Sequence, residues 1–357
     1  MTDALRLAGL DHVELYVTDV DAAADDMITK YGFELVGQSS PELTSHRSVA
    51  LRQGGILLVI TQGFADGHPA SSYVQAHGDG VASIALRTTD AQAAFKAAVA
   101  VGACPLPTAA DTVDGGSGVI EAFGDVRHTF VQRGADEAPG ALPPGFVPVG
   151  GGRPDAPVGL QQLDHFAICV KAGQLTPTVD FYASVLGFRK IFEERIVVGT
   201  QAMDSQVVQN AAGDVTLTII EPDTDREPGQ IDEFIKNHGG AGVQHLAFSS
   251  GDIVHAVGTL RDRGIEFLRT PGSYYDLLSS RMVLAGHSVR ELRDLDILAD
   301  EDHAGQLYQI FTRSTHPKKT LFMEVIERLG AETFGSGNIK ALYEAVEMER
   351  LSPEARR

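Results

Sequence analysis

Polar and apolar residues alternate along short segments of the chain. Residues 12–17 read His, Val, Glu, Leu, Tyr, Val, which is the period-two pattern of a half-buried strand. The small and apolar spacing of residues 19–30 predicts a helix that covers this strand, and residues 47–61 predict two strands that turn at Gly54-Gly55. Farther along, residues 252–263 predict a helix that ends at Gly264.

The same order of motifs occurs twice. Residues 10–17 (Leu-Asp-His-Val-Glu-Leu-Tyr-Val) return at 163–170 as Leu-Asp-His-Phe-Ala-Ile-Cys-Val, and residues 78–85 return at 240–247. A duplication explains this pattern. We therefore predict an α+β fold of tandem βαβββ modules with mostly antiparallel strands. Two domains should result, each an open barrel of curved sheet that is covered by helices.

A stretch rich in Pro and Gly separates the two copies and reads as a linker. We place a first domain at residues 8–135 and the linker at 136–159. A second domain follows at 160–330, and a C-terminal helix with a tail occupies 331–357.

Composition narrows the function classes. The 357 residues suit about two domains, and a net charge of −19 argues against a nucleic-acid partner. Two cysteines are too few for a disulfide framework, which favours a reducing, cytoplasmic compartment. No segment reads as a signal peptide or approaches the roughly 18 apolar residues of a membrane span, so we expect no membrane partner.

Three residues in the second domain stand out as candidate metal ligands. His165 and His245 lie on predicted strands, and Glu324 interrupts the apolar run 321–326. A carboxylate inside such a strand is costly unless it is paired or bound to a metal. Two imidazoles and one carboxylate form the facial triad of non-haem Fe(II) oxygenases. The alternatives are ordinary core histidines and a Glu324 that pairs with Arg328 or Lys340.

The duplication bears on this choice. In the first copy His12 remains, but Ser83 stands where His245 is expected and the position of Glu324 falls near Thr129. The first domain is thus a degenerate copy, and only the second, catalytic domain keeps a complete donor set. We read the remaining histidines of the first copy as structural or solvated: His12, His46, His68, His77 and His128.

The repeated modules and the three donors resemble the vicinal oxygen chelate superfamily. Five motifs, at 240–245, 271–276, 309–312, 324–328 and 334–338, resemble more closely the 4-hydroxyphenylpyruvate dioxygenase family, which includes 4-hydroxymandelate synthase. The resemblance covers nearly the whole chain. It implies that His165, His245 and Glu324 bind Fe(II), that 4-hydroxyphenylpyruvate and O₂ are the substrates, and that the protein is a homodimer.

Three positions depart from the dioxygenase pattern. Thr218 and Ile220 stand where the dioxygenases have Pro and Asn, and Ile339 stands where they have Phe. Loss of the aromatic wall and of a polar contact should let the substrate ring turn and bring the benzylic carbon to the reacting centre. The departures therefore favour a synthase that makes 4-hydroxymandelate for hydroxyphenylglycine in peptide antibiotics. The alternative is a tyrosine-degrading dioxygenase that makes homogentisate.

The last helix is expected to act as a lid over the site. Asn338 is a favourable N-cap, so Ile339 begins the helix and Leu342 and Tyr343 follow on its face. We expect Ile339→Phe to divert part of the product towards homogentisate.

Other pocket candidates come from the resemblance. Ser205 could bond the phenol of the substrate, and Gln309, on one strand face with Phe311, could bond a substrate oxygen. Gln230 and Gln244 also match family positions, although strict alternation points Gln244 away from the metal. Two rivals stay open: an extradiol ring-cleaving dioxygenase that acts on catechols, and a non-catalytic protein of the superfamily that binds a small ligand.

Overall fold

Strands form most of the regular structure. The computed structural model describes residues 5, 7–107, 118–134, 141–150, 157–335, 337, 338 and 340. The strands are β1 (Leu7–Tyr16), β2 (Glu34–Ser39), β3 (His46–Gln53), β4 (Ile56–Gly63), β5 (Gly80–Thr88), β6 (Pro105–Leu106), β7 (Val119–Phe123), β8 (Val126–Gln132), β9 (Phe146–Pro148), β10 (Leu160–Cys169), β11 (Arg189–Val198), β12 (Gln201–Gln209), β13 (Thr216–Pro222), β14 (Gly242–Ser250), β15 (Leu298–Glu301), β16 (Gln306–Phe311) and β17 (Phe322–Leu329).

Helices connect the strands and cover the sheets. They are α1 (Val20–Thr29), α2 (Pro69–His77), α3 (Ala91–Ala100), α4 (Leu175–Ser184), α5 (Gln230–His238), α6 (Ile253–Asp262), α7 (Gly272–Arg281) and α8 (Val289–Asp294). Aspartates cap the equivalent helices α1, α3 and α6, where Asp19, Asp90 and Asp252 accept hydrogen bonds from backbone N–H groups of the first turn. The described helices include none with the length and apolar character needed to cross a bilayer.

Four βαβββ modules build two sheets. In each module the first strand pairs in parallel with the last: β1 with β4, β5 with β8, β10 with β13, and β14 with β17. Antiparallel pairing of β1 with β5 and of β10 with β14 joins the modules in pairs. The sheets have the orders β6-β7-β8-β5-β1-β4-β3-β2-β9 and β11-β12-β13-β10-β14-β17-β16-β15. The predicted fold of two tandem, mostly antiparallel domains is confirmed.

A continuous hydrophobic core runs between the sheets and their helices. Alternate residues of the central strands point into it, and Phe33 of the first half meets Phe248 of the second with ring centroids 6.1 Å apart. Phe248 is fully buried, and burial of such a side chain contributes about 1.5–3 kcal/mol. The opposite faces of the central strands therefore line the open interior of each curved sheet.

The segment that we predicted as a linker takes part in the first sheet. Within its described part, β9 pairs with β2 at the sheet edge. Because this pairing depends on a distant strand, the Pro- and Gly-rich composition gave no sign of it. Ile339, Leu342 and Tyr343 of the predicted lid lie outside the described residues.

Candidate metal centre

Three adjacent strands of the second sheet bring the predicted ligands together. His165 on β10 lies opposite Ala247 on β14, and Ala247 lies opposite Glu324 on β17. His245 precedes Ala247 by two residues on β14 and therefore shares its face. The small alanine between His165 and Glu324 leaves room for the three larger side chains to converge.

The donor atoms of the three side chains face one another. The Nε2 atoms of His165 and His245 lie 3.4 Å and 3.1 Å from the same oxygen, Oε2 of Glu324. All three side chains are buried, and their donor atoms lie within 4.8 Å of one another. The alternative ion pair with Arg328 is not formed, because Arg328 binds Asp164 at 2.8 Å. Within the described ranges, this is the one cluster whose side chains meet the spacing of a metal site.

The charge state of the cluster fits a cation. Burial raises the pKa of Glu324, but the charge of His165 and the hydrogen bonds from both imidazoles outweigh it and hold that pKa at about 2. Burial lowers the pKa of His245. Burial also disfavours a charged His165, yet the carboxylate of Glu324 raises the pKa of His165 to about 9. A proton on His165 thus supplies the positive charge beside Glu324. A bound Fe(II) would supply that charge instead.

Two β-bulges re-aim side chains at the site. The pairing of β10 with β14 shifts between Leu163 and His165, which leaves Asp164 as the extra residue. A second shift, between Ala167 and Ile168, leaves Gln244 unpaired on β14. Bulges place neighbouring side chains outside strict alternation. Asp164, which the sequence analysis overlooked, consequently accepts a hydrogen bond from His165 Nδ1 at 2.8 Å and directs Nε2 to the centre.

The neighbouring strands present the predicted pocket residues on the face of His165. Thr218 lies opposite Ala167, and Ile220 lies opposite Cys169. Ser205 on β12 is in turn paired with Ile220. Ser205, Thr218 and Ile220 are buried, and the Thr218 hydroxyl has no hydrogen-bond partner among the described residues. This face of the sheet therefore presents the apolar side chain of Ile220 and the hydroxyl of Thr218 beside the candidate ligands.

Gln309 and Asn338 form a chain of hydrogen bonds that ends at Glu324. The amide of Gln309 donates to Glu324 Oε1 at 3.0 Å and does not point at open space. Asn338 donates to Gln309 Oε1 at 3.0 Å, and its own Oδ1 accepts from the Tyr274 hydroxyl at 3.2 Å. Asn338 is fully buried and lies inside the helical turn, so its side chain is a bridge to the site and not the predicted N-cap.

Aromatic rings enclose the two imidazoles. Phe322 stacks on His245 with ring centroids 4.8 Å apart, and Phe311 meets the same ring edge-on at 5.9 Å. Phe334 meets His165 edge-on at 5.1 Å. These rings give the centre an apolar surround, and the sequence analysis had proposed only Phe311 among them.

Gln230 and Gln244 line a neighbouring cavity. It has a volume of about 610 Å³, lies between the two halves of the chain, and is also lined by Phe322. The three ligands do not line it. Gln244 is the unpaired residue of the bulge on β14, and it lines this cavity instead of facing the three candidate ligands.

The first sheet repeats the arrangement without the donors. His12 lies opposite Ala85, which lies opposite Thr129, and Ser83 stands two residues before Ala85. The predicted equivalences of Ser83 and Thr129 are therefore confirmed by the strand register. The hydroxyls of these two residues lie 3.1 Å apart. Each histidine that we read as structural is buried: His12, His46, His68, His77 and His128.

Family profiles match both halves of the chain. Residues 1–140 match the profile described as hydroxyphenylpyruvate dioxygenase, HPPD, N-terminal. Residues 162–283 match that of the glyoxalase/bleomycin resistance protein/dioxygenase superfamily. These matches agree with two vicinal-oxygen-chelate domains.

Relatives align along nearly the full length. The 4-hydroxyphenylpyruvate dioxygenase of Dictyostelium discoideum is 32% identical over 96% of this chain and 98% of its own. That of Caenorhabditis elegans is 32% identical over 98% of this chain and 93% of its own.

Solved structures give a similar result. A triple mutant of 4-hydroxymandelate synthase from Streptomyces coelicolor superposes with a TM-score of 0.84 and is 41% identical, with 97% of this chain and 99% of that chain covered. A halotolerant catechol dioxygenase superposes with a TM-score of 0.50 at 15% identity, over 92% of this chain and 89% of its own. The likeness to the catechol enzyme concerns the fold alone.

Proposed function

The chain belongs to the 4-hydroxyphenylpyruvate dioxygenase family, and from this premise we propose that it is an Fe(II)-dependent 4-hydroxymandelate synthase. The reaction consumes 4-hydroxyphenylpyruvate and O₂ and releases 4-hydroxymandelate and CO₂. One oxygen atom enters the new carboxylate and the other enters the benzylic hydroxyl, so the atoms balance without another reductant.

The ligand set supports the metal part of this proposal. His165, His245 and Glu324 would hold Fe(II) through two nitrogens and one oxygen on one side of the ion. The bound metal would supply the redox chemistry of O₂ and open positions for the 2-oxo acid. The protein's own part is to fix the three donors, orient the substrate ring and keep water out with the surrounding phenylalanines.

The choice of the benzylic carbon rests chiefly on Ile220. This buried residue lies on the ligand face between Cys169 and Ser205, where the family's dioxygenases carry a polar Asn. An apolar side chain there offers no hydrogen bond to hold the ring of the substrate, so the ring can turn and present its side-chain carbon. Ser205 and the free hydroxyl of Thr218 are the proposed partners of the substrate's polar groups. The 41% identity to the Streptomyces synthase supports the same choice.

Homogentisate formation is the second candidate. The relatives that align along the chain at about 32% identity carry the name 4-hydroxyphenylpyruvate dioxygenase. In that case Thr218 and Ile220 would be tolerated changes in a pocket that still directs the ring carbon to the metal.

Product identification decides between the candidates. Purified protein is incubated with 4-hydroxyphenylpyruvate, Fe(II), ascorbate and O₂. The two products are isomers of equal mass, so chromatography against standards and proton NMR of the ring are required. A para-substituted ring with a benzylic hydroxyl is expected. Homogentisate as the sole product would overturn the synthase assignment, and turnover of a catechol in a parallel reaction would favour ring cleavage.

A further inference from the structure

A partly buried ion pair of Asp164 and Arg328 stands behind the candidate ligand His165, and the described residues place no such pair behind His245. His165 Nδ1 donates to Asp164 Oδ1 at 2.8 Å, whereas His245 Nδ1 is buried without a hydrogen-bond partner in the described part of the chain. Arg328 holds both carboxylate oxygens of Asp164, with Nε to Oδ2 at 2.8 Å and Nη2 to Oδ1 at 2.9 Å. The orientation of the His165 ring is thus set by two charged residues that do not face the centre.

The same arginine orders the segment that follows β17. Its Nη1 donates to the carbonyls of Ala331 at 3.2 Å and Thr333 at 2.6 Å. The guanidinium lies over the ring of Phe334 at 5.1 Å, and that ring meets His165 edge-on at 5.1 Å. His165, Asp164, Arg328 and Phe334 therefore form a closed ring of contacts, in which each residue touches the next.

The first half of the chain carries the same ion pair without a metal site. His12 Nδ1 donates to Asp11 at 2.8 Å, and Arg133 binds both oxygens of Asp11 at 2.7 and 2.9 Å. Arg133 also binds the backbone carbonyls of Ala141 and Leu142. Ser83 and Thr129 replace the other two donors in this copy, so there is no metal ligand to orient. The ion pair of Asp11 and Arg133 here only links β1 to residues 141 and 142.

We propose that Asp164 and Arg328 are positioning residues for the metal centre, which fix the His165 ring and couple it to the segment 331–335. The inference rests on the proposed function, because it assumes that the three ligands hold a metal. A carboxylate partner behind a metal-bound histidine commonly contributes 10- to 100-fold in affinity. The duplication supplies a matched control, since Asp11 and Arg133 have the same geometry away from the ligands.

Metal binding to the apo-protein tests the proposal. Co(II) is titrated without substrate and followed by its visible absorption, in wild type and in the Asp164→Asn and Asp11→Asn variants. We expect a dissociation constant about 10- to 100-fold higher for Asp164→Asn and within about threefold of wild type for Asp11→Asn. A purely structural pair would lower the apo-protein's melting temperature in both variants and leave Co(II) affinity unchanged, which would overturn the proposal.

A second variant guards against misfolding. Arg328→Lys keeps the charge and loses the paired hydrogen bonds, and Arg133→Lys is its control. In wild type, Co(II) should slow hydrogen exchange in peptides that cover 331–335, and only Arg328→Lys should abolish this slowing. Slowing of equal size in wild type and Arg328→Lys would refute the coupling.

The outcomes separate this proposal from the proposed function. Wild type that binds Co(II) but does not turn over 4-hydroxyphenylpyruvate refutes the enzymatic assignment alone. Equal metal affinity in wild type and Asp164→Asn refutes the positioning role alone. Wild type that binds neither Co(II) nor Fe(II) overturns both.

Discussion

The side-chain amide of Gln309 donates a hydrogen bond to the carboxylate of Glu324 at 3.0 Å. This bond uses the oxygen that does not face the imidazoles, so it fixes the carboxylate plane without competing for the donor atom. Asn338 holds the other end of the Gln309 amide. The candidate ligand Glu324 is thereby connected to the helical residues 337 and 338.

Removal of this amide should weaken the centre. Gln309→Met leaves Glu324 Oε1 and the Asn338 amide without their partner, which costs about 1–3 kcal/mol in the free energy of unfolding, and it should also lower metal affinity. Urea unfolding and Co(II) titration measure the two effects. The control is Gln306→Met on the same strand, because Gln306 bonds Ala285 and Val283 away from the centre. It should lower stability but not metal affinity; equal metal affinities in the two variants would contradict the expectation.

Loss of the anionic ligand should abolish iron binding. Glu324→Gln keeps the shape of the side chain but removes the charge that offsets a divalent cation. Elemental analysis should give about one iron per chain in wild type and almost none in the variant. Glu327→Gln is the control, since Glu327 is another buried carboxylate of β17 that binds Ile253 and His287. Iron retained in Glu324→Gln at the wild-type level would remove this residue from the ligand set.

Ile220 should steer the product. Ile220→Asn restores the polar side chain of the dioxygenases on the ligand face, where it can hold the substrate ring. We expect a larger share of homogentisate at an unchanged iron content, measured by chromatography of the products. Ile220→Val keeps the surface apolar and should leave the product ratio as in wild type. A ratio that is the same in all three proteins would show that residue 220 does not select the carbon.

His128 should make the protein sensitive to mild acid. It is fully buried between Ile84 and Tyr182, and burial lowers its pKa to about 4, against about 6.5 in an unfolded chain. The unfolded chain therefore takes up a proton between these pH values that the folded chain does not. The contribution of neutral His128 to the free energy of unfolding is therefore fully present above about pH 6.5. As the pH falls from there towards 4, this contribution is lost at up to about 1.4 kcal/mol per pH unit.

The slope of the free energy of unfolding against pH shows whether His128 causes the acid destabilisation. The free energy of unfolding is measured in urea between pH 4.5 and 7, about the range of the shift. His128→Gln should give a shallower slope, and His303→Gln, at an exposed position, should match wild type. Parallel curves for wild type and His128→Gln would assign the acid sensitivity to other groups.

The cluster of candidate ligands could be predicted because each of its residues lies in a recognisable local motif. His165, His245 and Glu324 each lie in a short strand motif, and the repeat aligned them with His12, Ser83 and Thr129 before any strand pairing was known. The pairing then follows from the parallel and antiparallel rules of the βαβββ module. For the same reason, the two-domain fold was predictable from alternation, the internal repeat and turn glycines.

The partners of the ligands could not be predicted in this way. Asp164 reaches His165 because a bulge interrupts the strand, and alternation alone would place the two side chains on opposite faces. Arg328 was considered only as an alternative partner of Glu324, which precedes it on the same strand, but the fold brings it to a carboxylate 164 positions away. Asn338 looked like a helix cap because its partners Gln309 and Tyr274 are distant in sequence.

The contact between Ser83 and Thr129 has a consequence for redesign. These residues occupy the places of two missing donors, and both are fully enclosed with their hydroxyls 3.1 Å apart. Exchange of the pair for histidine and glutamate would reinstate the right chemical groups beside His12. Both new side chains would be larger than the ones they replace, so their enclosed neighbours would have to move to admit them. A complete donor set in the first copy would therefore require repacking around residues 83 and 129.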